Sequence, residues 1–167
     1  MESRYNIREL GNSDGPQAVA LILPIQQLEF GVAIEAKDQP DLADIETYYR
    51  GPGGNFWGAF EGETLVGTIG LLALGHRAGA IRKMFVREAY RGKEKAVGQQ
   101  LLDHLLEECR AKDMADIYLG TVAQMSAAHR FYERNGFVRT HAEALPSYFP
   151  LMKVDNVFYH KNLNLPQ

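Results

Sequence analysis

Residues 86–102, VREAYRGKEKAVGQQLL, hold the transition around which the rest of the chain is arranged. A strand-like apolar run ends at Val86, a basic loop containing Gly92 comes next, and from Val97 the pattern turns helical. Such a junction suits a phosphate. The first N–H groups of a helix have no partner inside it, and the positive end of the helix dipole lies beside them. Arg91, Lys93 and Lys95 add charge to the same loop. By itself such a loop selects no ligand, since short basic glycine-bearing loops are common and many are simply solvated.

Downstream of the loop, Leu101, Leu102, Leu105, Leu106 and Cys109 recur at helical spacing and define one apolar face over four turns. Residues 117–121 then read as a strand, and residues 126–135 as a helix with Ala128, Phe131 and Tyr132 on one side and Gly136 as its left-handed stop. Residues 137–140 and 157–163 read as closing strands around an excursion marked by Pro146 and Pro150. Upstream, residues 55–60, 65–74 and 80–86 show extended patterning separated by turn residues, which suits an antiparallel meander. Before them come a strand at 5–10 and a helix carrying Ala18, Leu21, Ile22, Ile25 and Leu28 on one face, with Pro24 predicting a kink or break. A second short helix at 41–49 would bury Leu42, Ile45 and Tyr48.

Composition bounds the setting. Eighteen basic residues against 21 acidic ones give a net charge of -3 over 167 residues, so no general attraction to nucleic acid or to an anionic membrane is expected. The one cysteine, Cys109, excludes an intramolecular disulfide and falls on the apolar helix face, where it reads as a core thiol. The apolar run at 18–25 is far short of a membrane span and no leader pattern precedes it, so a single cytoplasmic domain over residues 1–167 is the expectation.

The loop gains meaning from its downstream neighbours, a strand and then AAHRFYERNGF at residues 127–137. That order resembles the GNAT superfamily of acyl-CoA-dependent N-acetyltransferases, in which strand, pyrophosphate loop and helix precede a strand and a helix bearing a tyrosine before a Gly-Phe pair. The likeness covers residues 55–137 well and the flanks in element order alone. It implies an α/β fold with a mixed, largely antiparallel sheet and helices on both faces. It also implies acetyl-CoA as cosubstrate and a small-molecule or peptide amine as acceptor, with a homodimer common for such folds.

Residue by residue, the family loop reads Arg or Gln, two residues, Gly, one residue, Gly or Ala, and an ungapped match sets Glu94 where the first glycine belongs. The Leu101-Leu102 pair stands three residues after Gly98, as family helices place it after their last glycine, so a loop lengthened by two residues fits better. Gly92, Ala96, Val97 and Gly98 would then offer backbone N–H groups to the diphosphate, with Glu94 turned outward toward Lys93 or Lys95. Arg91 is either a direct phosphate ligand or a base that holds the loop. The resemblance further implies that the strand at 81–86 splays from that at 117–121 and receives the pantetheine arm, with Met84 and Val86 backbone groups bonding its amides and the thioester carbonyl. A donor aimed at that oxygen stabilises the charge that develops on it.

Tyr132 lies where the family places the tyrosine that protonates the departing CoA thiolate, as a phenol within hydrogen-bond reach can do. Where the family has an asparagine seven residues earlier, this chain has Met125, and the neighbouring Ser126 either caps the helix or bonds the cofactor. His129 reads as a proton acceptor or as a packing residue. The five histidines show no metal-ligand spacing with Cys109 or the acids, so no metal is expected. No Ser-His-Asp or Cys-His arrangement stands out, in keeping with direct transfer from the thioester. The acidic stretch Glu29, Glu35, Asp38, Asp41, Asp44 and Glu46 reads either as a lure for a cationic amine or as a solvated face. Two further readings stay open: a module that binds acyl-CoA without turnover, and a nucleotide triphosphate loop, although the lysine-serine or lysine-threonine ending of such loops is missing.

Overall fold

The computed structural model describes residues 5–92 and 96–164. Its strands are β1 (Asn6–Glu9), β2 (Asn55–Glu61), β3 (Thr64–Gly75), β4 (Ala78–Val86), β5 (Asp116–Thr121), β6 (Val138–Thr140) and β7 (Val157–Asn162). They form one sheet in the order β1-β2-β3-β4-β5-β7-β6, with every neighbouring pair antiparallel except β4 and β5. A parallel pair needs a crossover, and the loop and helix after β4 supply it.

The helices are α1 (Gly15–Pro24), α2 (Val97–Ala111) and α3 (Ser126–Arg134). They lie on both faces of the sheet, as the resemblance implies. On one face Val97, Leu101, Leu102, Leu105 and Cys109 of α2 and Tyr132 of α3 pack with Trp57, Ile69, Ile81 and Ile117 of the strands. On the other, Ala18, Leu21 and Ile22 of α1 pack with Leu42, Ile45, Tyr49, Phe56 and Phe60. Cys109 is fully buried, and burial pushes its thiol up to about 12, so it behaves as a core group.

Two local departures from the predicted helices both involve a widened turn. After Pro24 the helix widens, with the N–H of Phe30 bonding the carbonyl of Ile25 five residues back. The wider turn advances the buried face: Leu28 is 83% exposed, and Gln26 is buried instead. Gln26 and Gln39 satisfy each other through two reciprocal amide bonds of 2.9 Å. Likewise residues 41–49 are not one helix but a 3₁₀ turn at Pro40–Leu42 and a widened turn at Glu46–Arg50, and Tyr49 is buried where Tyr48 was expected.

The meander turns through His76 and Arg77, both with left-handed backbone (φ 55° and 56°). This mirror-image turn matches the twist of the flanking strands but strains non-glycine residues. Beside the turn Arg77 pairs with Asp113 at 3.0 Å, and the His76 ring stacks on Tyr148 at 4.1 Å.

Two features of β4 position the site. Its pairing with β5 stops after Ala78–Asp116, Gly79–Ile117 and Ala80–Tyr118, so the strands diverge beyond. Against β3, Thr68 faces Phe85 while Gly70 faces Arg82, which leaves one extra residue on β4. That bulge centres on Lys83, whose φ is +53° and whose carbonyl accepts the Thr68 hydroxyl at 2.8 Å.

Candidate active site

Beyond the point where β4 leaves β5, a cleft of about 800 Å³ opens between the end of β4, the loop and the starts of α2 and α3. Met84, Val86, Gly98, Ser126, Phe131 and Tyr132 are among its walls. A smaller cavity of about 120 Å³ lies beside it, walled by Arg82, Lys83, Thr121, Met152 and Asp155. Phe30, Met84, Phe85, Met125, Ala128 and Tyr132 face both, so the two spaces meet around the Tyr132 ring.

The helix α2 starts at Val97, and its first N–H groups therefore have no carbonyl within the helix to bond. Gly98 lines the cleft in this first turn. A Cβ there would come within 3.6 Å of the Met84 methyl and 3.9 Å of the Phe131 ring, so the glycine keeps the floor open. Ala96 also lines the cleft, but with φ +56° its N–H bonds the Gly92 carbonyl at 3.1 Å. That corrects the expectation that Ala96 offers an N–H: the loop closes a turn on itself before the helix begins. Val97 turns its side chain into the core and contributes its backbone at the helix start. Lys93, with Glu94 and Lys95, lies outside the described residues.

Arg91 faces the cleft with both ends engaged. Its Nε donates to the Val86 carbonyl at 2.8 Å, and its Nη1 pairs with Glu29 at 2.7 Å. The arginine thus ties the loop to β4 and to the segment after α1. Across the cleft, the Gln124 amide donates to the Phe30 carbonyl at 3.4 Å. Ser126 is the first residue of α3 and lines the cleft, with Met125 in the cap position.

Tyr132 is 6% exposed, and its hydroxyl donates to the Met84 thioether at 3.4 Å. Its ring packs against Phe131, Phe137 and Tyr159. Burial holds the phenol well above its ordinary value, so it keeps its proton at neutral pH. His129 is engaged by backbone, with its Nε2 3.0 Å from the Val122 carbonyl.

The acidic stretch does not surround the smaller cavity. Asp44 and Glu46 bond Asn12, Asp38 bonds the Glu35 N–H, and Glu29 holds Arg91 at the larger cleft. Asp41 is buried, taking the Tyr49 hydroxyl at 2.6 Å and pairing with Lys83 at 3.3 Å. Burial and the Asp41 charge push the Tyr49 phenol far up, and burial pulls the Lys83 ammonium down. The charged groups that do line the cavity are Arg82, Lys83 and Asp155, none of which sequence reading singled out. The adjacent charges in AIRKMFV were a legible sign, since they break the alternation of a strand. Asp155, on a proline-flanked excursion, carried no such sign.

No group of histidine, cysteine and acidic side chains with the geometry of a metal site occurs among the described residues. No helix among them is long and apolar enough to cross a membrane.

Comparison with known proteins agrees with this geometry. A GNAT-family acetyltransferase from Staphylococcus aureus Mu50 superposes with a TM-score of 0.91 at 41% identity, over 95% of this chain and 99% of that one. In fold the chain is also similar to the PaiA N-acetyltransferase of Thermoplasma acidophilum, solved in complex with coenzyme A, with a TM-score of 0.73 and 18% identity over 97% and 99% of the two chains. The uncharacterised N-acetyltransferase YsnE of Bacillus subtilis is 36% identical over 90 residues, which is 53% of this chain and 58% of that protein. The chain therefore spans little more than half of that relative's length. The sequence profile of the Acetyltransferase (GNAT) family matches residues 20–137, from α1 through the cleft to the residue after Gly136. A match of that extent fixes the kinship, and the chain belongs to the acetyltransferase (GNAT) family.

Proposed function

We propose that this chain transfers an acetyl group from acetyl-CoA to a primary amine by direct attack on the thioester, with Tyr132 as general acid. The observation that carries the reading is the shared wall: a donor lying in the larger cleft and an acceptor in the smaller cavity would meet beside the Tyr132 hydroxyl.

The residues fit the donor. N–H groups at the start of α2, which have no partner within the helix, suit a diphosphate, and Gly98 leaves room for its approach. The edge of β4 freed beyond Ala80, with Met84 and Val86 on the wall of the larger cleft, suits the amides of a pantetheine arm. Acetyl-CoA supplies the activated thioester. A backbone N–H of β4 then bonds the thioester oxygen as negative charge grows on it. Tyr132 gives its proton to the sulfur as the carbon–sulfur bond breaks, and recovers one from the nitrogen that has formed the new amide bond.

Replacing Tyr132 by Phe should leave acetyl-CoA affinity within a few fold, because only one weak hydrogen bond to Met84 is lost. It should lower kcat by about 10²- to 10⁴-fold. Released CoA, followed across an amine panel and across pH, checks both; an unchanged rate at every pH removes Tyr132 from the chemistry. Tight acetyl-CoA binding by calorimetry with no CoA released for any amine overturns the transferase reading in favour of an acyl-CoA-holding module.

A further inference from the structure

The bulge at Lys83 sets two adjacent cations on one face of β4. Gly70, opposite Arg82, faces Phe56 and Tyr49, and Lys83 reaches Asp41 on that same side, whereas Ile81 and Met84 pack toward α2. The two cations meet different fates. Lys83 is neutralised by Asp41, which also accepts the Tyr49 hydroxyl. Arg82 has no carboxylate within 4.0 Å among the described residues, and its guanidinium donates to the Met152 thioether at 3.4 Å, a weak acceptor.

Across the gap, Asp155 lines the same cavity with no cation within ion-pairing distance among the described residues. Its carboxylate lies against the backbone of β5, where a Cβ on Gly120 would come within 2.6 Å of the Asp155 Oδ2. Burial pushes this carboxyl up while Arg82 and Lys83 pull it down. A small, half-dry cavity therefore carries one guanidinium and one carboxylate that do not pair with each other. Phe30, Val32 and Ile34 add apolar walls to the same cavity.

We infer that the smaller cavity takes an amino-acid-like acceptor, with Arg82 binding its carboxylate and Asp155 its amine. The inference rests on the acetyl-transfer reading for the direction of the amine, but its recognition chemistry stands on the cavity alone. A guanidinium presents a planar fork of donors that matches a carboxylate. An acceptor lacking the carboxylate leaves that fork unpaired in a partly dry site, which is the situation that rejects an analogue most strongly.

The test uses matched pairs: the common amino acids and their carboxamides as acceptors with acetyl-CoA, and the corresponding N-acetylamino acids and N-acetyl carboxamides as ligands of the CoA-loaded protein in calorimetry. For at least one pair the acid should bind at least about tenfold more tightly than the amide, and Arg82→Gln should bring the ratio close to one. Arg82→Lys, which keeps the charge and loses the fork, should retain part of the preference and guards against a folding defect in the first variant. Equal binding of acid and amide, a preference that survives Arg82→Gln, or no binding of any acid overturns the inference. Turnover confined to carboxylate-free amines also overturns it while leaving acetyl transfer intact. An Arg82-dependent acid preference without any CoA release upholds the inference and overturns the transferase reading instead.

Discussion

Tyr132 is sealed among three other aromatic rings, and that enclosure has consequences well beyond its hydroxyl. Burial raises its phenol above 10.0, and raises the Tyr159 phenol and the Cys109 thiol to about 12. Each group binds its proton more tightly in the folded chain than in the unfolded one. The stability they contribute is therefore complete below the unfolded values and is lost as pH rises through the folded ones. Denaturant unfolding at stepped pH above about pH 9 should show the stability of the parent protein changing more unfavourably with pH than that of Tyr132→Phe. A decline of the same slope in both proteins would mean that Tyr132 does not contribute. At this scale the placement of Tyr132 and Gly98 on the cleft and of Cys109 in the core was legible because all three lie on regular helices, where period predicts direction. Arg82 and Asp155 escaped because a bulge and an irregular excursion set their directions, and neither has a period.

Among the elements, α2 joins fold and site most directly. Its apolar face buries five leucine and cysteine side chains, and its first turn borders the cleft through Gly98. Gly98→Ala separates the two roles. Its backbone is not left-handed, so alanine should favour the helix by up to about 1 kcal/mol, visible as an unchanged or higher Tm. The added methyl would enter the cleft beside Met84 and Phe131, and acetyl-CoA affinity by calorimetry should fall. Unchanged affinity would place the diphosphate elsewhere. The sequence pattern located α2 and α3 to within a residue or two because the apolar period is unbroken in α2 and Gly136 marks the end of α3, although neither helix has a side-chain cap. It misplaced the buried faces after Pro24 and near Tyr49, since a turn of five residues shifts the apolar stripe by one position and propensity does not report that shift.

At the scale of the whole molecule, the sheet is two arms joined through three residue pairs of β4 and β5. Strand existence and the meander were legible in alternation and turn residues, and the resemblance supplied the splay. The insertion of β7 between β5 and β6 was not readable, because strand order is set by which faces can be covered and leaves no local trace. A donor bound between the arms should add about 2.7 kcal/mol of stability at a hundredfold excess over its Kd. The amides of β4 and β5 beyond Ala80 should gain hydrogen-exchange protection with it; protection confined to α2 would argue against a pantetheine arm in the gap.

The bulge at Lys83 is an insertion of a particular kind. Arg82 and Lys83 share a face, so the residues on either side of the pair keep their alternation: Ile81, Met84 and Val86 toward α2, Phe85 toward α1. Deleting Lys83 would therefore not rephase the strand. Made together with Asp41→Asn, so that no buried carboxylate loses its cation, the deletion should leave a folded protein with a straighter β4. Backbone pairing with β5 could then run on past Ala80. In that protein the binding cleft would be lost as a unit, with circular dichroism unchanged and acetyl-CoA binding abolished. On that outcome, one inserted residue is what holds the two strands apart.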